Sequence, residues 1–119
     1  MPRPPVLVTS RAEKAVEAKR LGFDLVCVPL DLPEPQALDP GEIVEAKARA
    51  AHAVLQCPVI VEDSGLSIVA WNGFPGALIK WLESSAGVAA LPRMLDGFGD
   101  RSATAVCAIA YFDGSGIVA

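Results

Sequence analysis

Hydrophobic and polar positions change period along this chain, and each change marks an element. Pro5 to Thr9 carries the short apolar run VLV and reads as a first strand. Ser10-Arg11-Ala12-Glu13 follows as a capping box opening a helix to about Leu21, where Gly22 stops it. FDLVCVPL, from Phe23, reads as a second strand. Pro29, Pro33, Pro35 and Pro40 then keep DLPEPQALDPG out of regular structure. Asp39 is placed to cap a second helix, with Pro40 in its first position and Glu42 three residues after the cap. That helix is expected to reach about Leu55, with Ile43, Ala46, Ala50 and Val54 as its apolar stripe.

Pro58 begins the strand VIVED, which the pattern ends at Asp63; LSIVAW is ambiguous and NGFPG is a turn cluster. Helices are expected over roughly Ala77–Ser84 and Gly87–Leu95. SATAVCAIAYF reads as a long strand entering a DGSG hairpin turn, with IVA starting its partner. The order βαβ followed by mixed elements predicts an α/β fold, a mixed central sheet flanked by helices.

Composition narrows the class. With 119 residues the expectation is a single domain over 1–119, and 52% hydrophobic residues make it apolar for its size. No apolar run approaches the ~18–20 residues of a membrane span. MPRPPVLVTS lacks the apolar region of a signal peptide, so the reading is cytoplasmic and not membrane-bound. A net charge of −4 argues against nucleic acid as a partner. Cys27, Cys57 and Cys107 fit neither a zinc spacing nor a disulfide framework and are expected as buried reduced thiols. His52 stands alone and reads as an ordinary helix residue.

Candidate chemistry gathers at element ends. Thr9-Ser10 lies at a strand-to-helix junction, where unpaired N–H groups and the helix dipole attract anions. Lys14, one turn inside, opposes that dipole unless an anion binds there; otherwise it is a solvated lysine. Lys47, four residues after Ile43, borders the buried face of the second helix, and either snorkels or points at an anion in a cleft. In α/β sheets ligands gather beyond the carboxyl ends of strands, where VIVED sets Glu62 and Asp63 side by side. Alternation sends them to opposite faces, so one serves a metal or a water while the other is a supporting partner. Gly65 lets the backbone pass close to a ligand. Two lysines with acids describe a phosphate site with a divalent cation, for which Mg2+ is the natural choice.

VLVTSRAEK, DLPEPQ, EIVEAKARAA, VIVEDSGLSIVAWNGFPGALIKW and RSATAVCAIAYF, in that order, resemble the inosine triphosphate pyrophosphatase family. The resemblance implies magnesium-dependent hydrolysis of non-standard purine nucleoside triphosphates (ITP, dITP, XTP) to monophosphate and pyrophosphate. It implies phosphate or substrate contacts for Lys14, Lys47 and Lys80, and a loop over the substrate at Ser64 and Gly65. Glu34 matches an acidic metal position, Asp63 the metal-linked acid beside the attacking water, and Glu62 is its neighbouring acid.

The family's first motif usually carries Gly-Asn where this chain has Ser10-Arg11. Members also continue into a further lobe with a purine-recognising segment, so the resemblance implies the N-terminal part of such a fold, without that pocket. The alternative function is a non-catalytic nucleotide-binding or interaction remnant; a generic α/β domain is a third. An apolar strand edge near the carboxyl end predicts a homodimer.

Overall fold

A computed structural model describes residues 3–119. Its elements are β1 (Val6–Val8), α1 (Ala12–Arg20), β2 (Val26–Val28), α2 (Pro40–Leu55), β3 (Val59–Ile68), β4 (Pro75–Gly76), α3 (Ile79–Ala86), α4 (Ala90–Met94), β5 (Ala103–Phe112) and β6 (Ile117–Val118). They build one mixed sheet in the order β2-β1-β3-β5-β6, with β4 also pairing β3. The α/β expectation with a mixed central sheet is met.

β1 runs parallel to both β2 and β3, while β3–β4, β3–β5 and β5–β6 are antiparallel. The crossover from β1 through α1 to β2 and the one from β2 through α2 to β3 run in opposite lateral directions, so right-handed connections put α1 and α2 on opposite faces of the sheet. The core lies on the α2 face, where Val44, Ala48 and Ala51 pack against Val8, Val59, Val61, Ala110 and Phe112. Two alanines let the helix backbone approach the sheet closely. Each fully buried valine contributes on the order of 1.5–3 kcal/mol.

α2 matches its expected limits, because its signals are local. The Asp39 carboxylate accepts from the Gly41 N–H at 2.9 Å, and Pro40 occupies the first turn. Its buried stripe is different: Ile43, Val44, Ala48 and Ala51 are buried, and Val54 is exposed. Apolar residues occur all round this helix, so its sequence alone did not select the face that the sheet would cover. The rotation brings Lys47, three residues after Val44 and four before Ala51, onto the packed face.

Other boundaries moved for tertiary reasons. The Ser10 capping box does not form: Arg11 is the N-cap without a side-chain cap, and the Arg11 N–H donates instead to Thr9 Oγ1 at 3.1 Å. β2 keeps only three of the residues expected from Phe23 onward, because β1 offers it three partners. β3 does not end at Asp63 but runs on to Ile68, since β5 pairs with all ten of its residues. Pro75–Gly76, within the NGFPG turn cluster, pairs with Ser67 and Leu66 as β4. α3 and α4 start two and three residues later than expected, at Ile79 and Ala90.

At the DGSG turn, Asp113 Oδ1 accepts from the N–H groups of Ser115 and Gly116 and from the Ser115 hydroxyl. Those bonds hold its carboxyl down at about 2. Cys107 is exposed, contrary to the expectation of burial, because that part of β5 has no layer over it; Cys27 and Cys57 are half-buried. His52 packs against Phe112, ring centroids 5.0 Å apart. Among the described residues no helix is long and apolar enough to cross a membrane.

Candidate active site

One edge of β3 is left open in the middle. β1 pairs with Val59 and Ile60, β4 pairs with Leu66 and Ser67, and residues 61–65 between them have no strand partner on that side. The acidic pair therefore lies beyond the carboxyl ends of the parallel strands but within a longer antiparallel strand. The Lys47 ammonium fills part of the gap, donating to the Glu62 backbone carbonyl at 2.8 Å.

Strand alternation separates the two acids. Asp63 shares the face of Val59 and Val61 and looks toward α2, whereas the Glu62 carboxylate approaches the α1 lysine, Lys14, at 3.8 Å. Lys14 also lies 3.4 Å from Glu17. Thr9 and Ser10 sit just before α1, at the carboxyl end of β1; Thr9 is half-buried and Ser10 exposed. Ser64 is exposed and Gly65 buried, opposite Cys107 and Val106 of β5.

Glu34 arrives from the proline-rich loop. Its two carboxylate oxygens face Lys47, at 3.4 Å, and Lys80 of the first turn of α3, with which it forms a close ion pair. Burial by itself raises the Glu34 pKa, but the Lys80 hydrogen bond and the nearby charges of Lys47 and Lys80 outweigh it, so the carboxyl lies below its ordinary value. The loop is pinned by a backbone bond from Ala77 N–H to Leu38 C=O at 2.8 Å.

This contact requires glycine at two places. A Cβ on Gly76, whose φ is +55°, would stand 2.3 Å from the Leu38 carbonyl oxygen. One on Gly65 would stand 2.9 Å from the Gly76 carbonyl carbon and from Pro40 Cγ.

Asp63 differs from Glu34. Its Oδ2 is buried without any hydrogen-bond partner. Burial raises its pKa above the ordinary carboxylate value; Lys47 and Lys80 pull it down, Glu34 and Glu62 push it up, and the net shift is upward. An unpartnered buried carboxylate oxygen costs free energy, and such an orphan marks a place where a ligand, ion or water belongs.

Of the acids singled out in the sequence, Glu34 and Asp63 share the neighbourhood of Lys47 and Lys80, and Glu62 turns to Lys14. Among the described residues no three His, Cys, Asp or Glu side chains converge where a metal ion could sit, so the trio Glu34, Glu62 and Asp63 is not one cage. The sequence reading missed the wall beside Lys80. Gln36, Phe74, Pro75, Leu78, Trp81 and Leu82 line an open groove of about 550 Å³. Its one advance signal was Trp81 directly following Lys80.

The mixed α/β fold is shared with solved Ham1 structures. The Staphylococcus aureus Ham1 protein superposes with a TM-score of 0.74 at 24% identity, covering 92% of this chain and 64% of that one. A nucleoside-triphosphatase / dITP/XTP pyrophosphatase from Mycobacterium abscessus gives 0.75 at 26% identity, covering 97% and 69%. Residues 5–119 match the sequence model of the Ham1 family, and the chain belongs to that family. Inosine triphosphate pyrophosphatases of Batrachochytrium dendrobatidis and Kluyveromyces lactis are each 43% identical to it, over 89% and 98% of this chain. The chain spans 57% and 64% of the length of those two curated relatives.

Proposed function

We propose that this chain is a magnesium-dependent nucleoside triphosphate pyrophosphatase acting on non-standard purine nucleotides such as ITP, dITP and XTP. The observation that carries this reading is Asp63, raised in pKa and with an unpartnered buried oxygen, beside a carboxylate held between two lysines. The names of its relatives, inosine triphosphate pyrophosphatase and dITP/XTP pyrophosphatase, support the same substrates.

The donor set fits Mg2+, which takes one or two carboxylates and completes its shell with phosphate oxygens and water. Asp63 and Glu34 are the residues that would hold it. When bound, the ion neutralises phosphate charge and polarises the phosphorus centre.

Lys47 and Lys80 hold phosphate oxygens, exchanging Glu34 for them in part, and Lys14 with the Thr9-Ser10 junction receives the far end of the polyphosphate. Ser64 and Gly65 flank the substrate. Asp63 orients a water and takes its proton as the water oxygen bonds to the α-phosphorus. The bond from that phosphorus to the α–β bridging oxygen breaks, and its electrons leave with pyrophosphate, whose charge the lysines stabilise.

A cytoplasmic setting accords with three free cysteines. A homodimer is proposed through β5, whose residues Ala103–Phe112 carry no charge and whose outer edge is paired by β6 only at Tyr111 and Phe112. The function is tested by ITP turnover on the 119-residue protein with magnesium and with a chelator. Magnesium-dependent release of pyrophosphate and IMP is expected. A folded protein that binds ITP without cleaving it is instead the non-catalytic remnant.

A further inference from the structure

Each lysine of the site meets a carboxylate of its own chain. Lys14 lies 3.4 Å from Glu17 and 3.8 Å from Glu62. Lys47 and Lys80 share Glu34, one carboxylate oxygen facing each ammonium. This second arrangement differs in kind from the first. A single anion bridges cations from two helices, α2 and α3, and offers two oxygens to two donors, as a phosphate group also does. Toward these two lysines, Glu34 and a phosphate are competitors.

The competition is sheltered. The side chains of Glu34 and Lys47 are 21% and 16% exposed, so water and salt screen their attraction less than at an open surface. Lys47 is also held from a second side by its 2.8 Å bond to the Glu62 carbonyl, which keeps the ammonium at the strand edge beside Glu34. Glu34 is the freer partner. Among the described residues its carboxylate has no partner besides the two lysines, and it comes from the proline-rich loop rather than from a strand or helix.

Asp63 completes the arrangement. Among the described residues no ammonium forms an ion pair with it, and its Oδ2 is buried without a partner. A divalent cation shared by Asp63 and Glu34 satisfies that oxygen, but Glu34 cannot then keep both ammoniums close, because the like charges gathered round one carboxylate repel. By turning to the cation, Glu34 leaves Lys47 and Lys80 in need of another anion.

We propose that Glu34 is an internal competitor of the substrate's phosphates: it occupies Lys47 and Lys80 until it turns to a divalent cation, so that cation and polyphosphate bind as a coupled pair. This role rests on the pyrophosphatase reading above and adds to it a selection for the metal-complexed over the free form of the same polyanion. Coupling of this kind is reciprocal: whatever frees the lysines from Glu34 also frees Glu34 for the cation.

Calorimetry on the 119-residue protein tests both directions. In the first, inorganic tripolyphosphate is titrated, in the presence of a chelator, into the parent, Glu34→Gln and Glu34→Ala. Both substitutions remove the competing charge, so each is expected to bind the metal-free anion more tightly than the parent, by roughly five- to 150-fold. Glu83→Gln is the control: it removes a negative charge from the same helix as Lys80, at an exposed position, and should move the affinity far less. In the second, magnesium chloride alone is titrated into the parent and into Lys80→Met. Glu34 then has one lysine fewer to hold it, and tighter binding of the metal is expected.

Unchanged metal-free affinity in the Glu34 variants would overturn the competitor role while leaving the phosphate reading intact. Weaker metal-free binding would overturn it as well, because Glu34 would then be setting the lysines in place for the phosphate instead of holding them from it. An equal gain with Glu83→Gln would reduce the effect to the general field of the protein and overturn it too. Magnesium binding that is unchanged or weaker in Lys80→Met would deny the coupling. Tripolyphosphate that binds neither the parent nor the variants, with magnesium or without, would remove both readings.

Discussion

Asp63 concentrates the chemistry at the scale of one residue. Its carboxyl is held above the ordinary value, first by burial, with Glu34 and Glu62 adding to the shift against Lys47 and Lys80. Proton abstraction needs the ionised form, so with limiting metal the rate should climb as pH rises through an apparent pKa above the ordinary aspartate value. Asp63→Asn is expected to lower turnover of ITP by about 10²- to 10⁴-fold. Stability moves the other way. A raised folded-state pKa contributes stability that is complete below the unfolded value and is lost as pH rises through the folded value. The neutral amide escapes that loss, so Asp63→Asn should melt at a higher temperature than the parent at pH 7. A melting curve shifted downward would show that the carboxylate is stabilised by its surroundings, contrary to this account.

Lys47 has the opposite character. Its side chain is 16% exposed, donates to the Glu62 carbonyl and balances Glu34. Lys47→Met keeps the packed stem and removes the ammonium. It is expected to cost about 1–3 kcal/mol in urea unfolding, by leaving a carbonyl and a carboxylate short of a partner. The same variant should bind tripolyphosphate more weakly; unchanged affinity would take Lys47 out of the phosphate site.

At the scale of elements, the site depends on how closely the proline-rich loop approaches β3 and β4. Gly76 and Gly65 have no side chain in the way, and Ala77 ties the loop to the strand. Gly76→Ala meets a carbonyl oxygen at 2.3 Å from a backbone with φ of +55°, and is expected to cost roughly 1–3 kcal/mol. It should also reduce nucleotide binding, since Glu34 rides on the displaced loop. Gly99→Ala, where nothing lies within 4 Å, is the control and should leave the urea midpoint unchanged.

The sequence carried the limits of α2 because Asp39 and Pro40 act within one helical turn. It did not carry the length of β3: the partner that extends the strand to Ile68 is β5, about forty residues further on. Nor did it carry the covered face of α2, so Lys47 appeared at the margin of a stripe whose centre it approaches.

The whole molecule is elongated, 57 × 28 × 22 Å, with a radius of gyration of 16.1 Å against about 13.5 Å for a compact chain of this length. In the β3–β5 ribbon Ala103–Cys107 are exposed and Ile109 is 58% exposed. Uncharged strand edges pair readily, and a two-fold axis across β5 would bring no like charges together. Light scattering at micromolar concentration should therefore report a dimer, and Ile109→Lys should shift it toward monomer. A parent protein that stays monomeric at that concentration would end the homodimer proposal.

What the sequence determined by itself is the set of features written within a few residues: the Asp39 cap, the Asp113 turn, the interruption by prolines, and the motif blocks that resemble the pyrophosphatase family. Each rests on dihedral preferences and hydrogen bonds that close locally. Tertiary structure decided that one carboxylate oxygen of Asp63 is buried without a partner while its neighbour Glu62 meets Lys14. It also decided that Lys47 plugs an open strand edge, and that Trp81 and Phe74 form a wall beside the lysines. These depend on which strand pairs where and which helix face is covered. Such non-local choices are made by burial and pairing across the whole chain, and no short window of residues contains them.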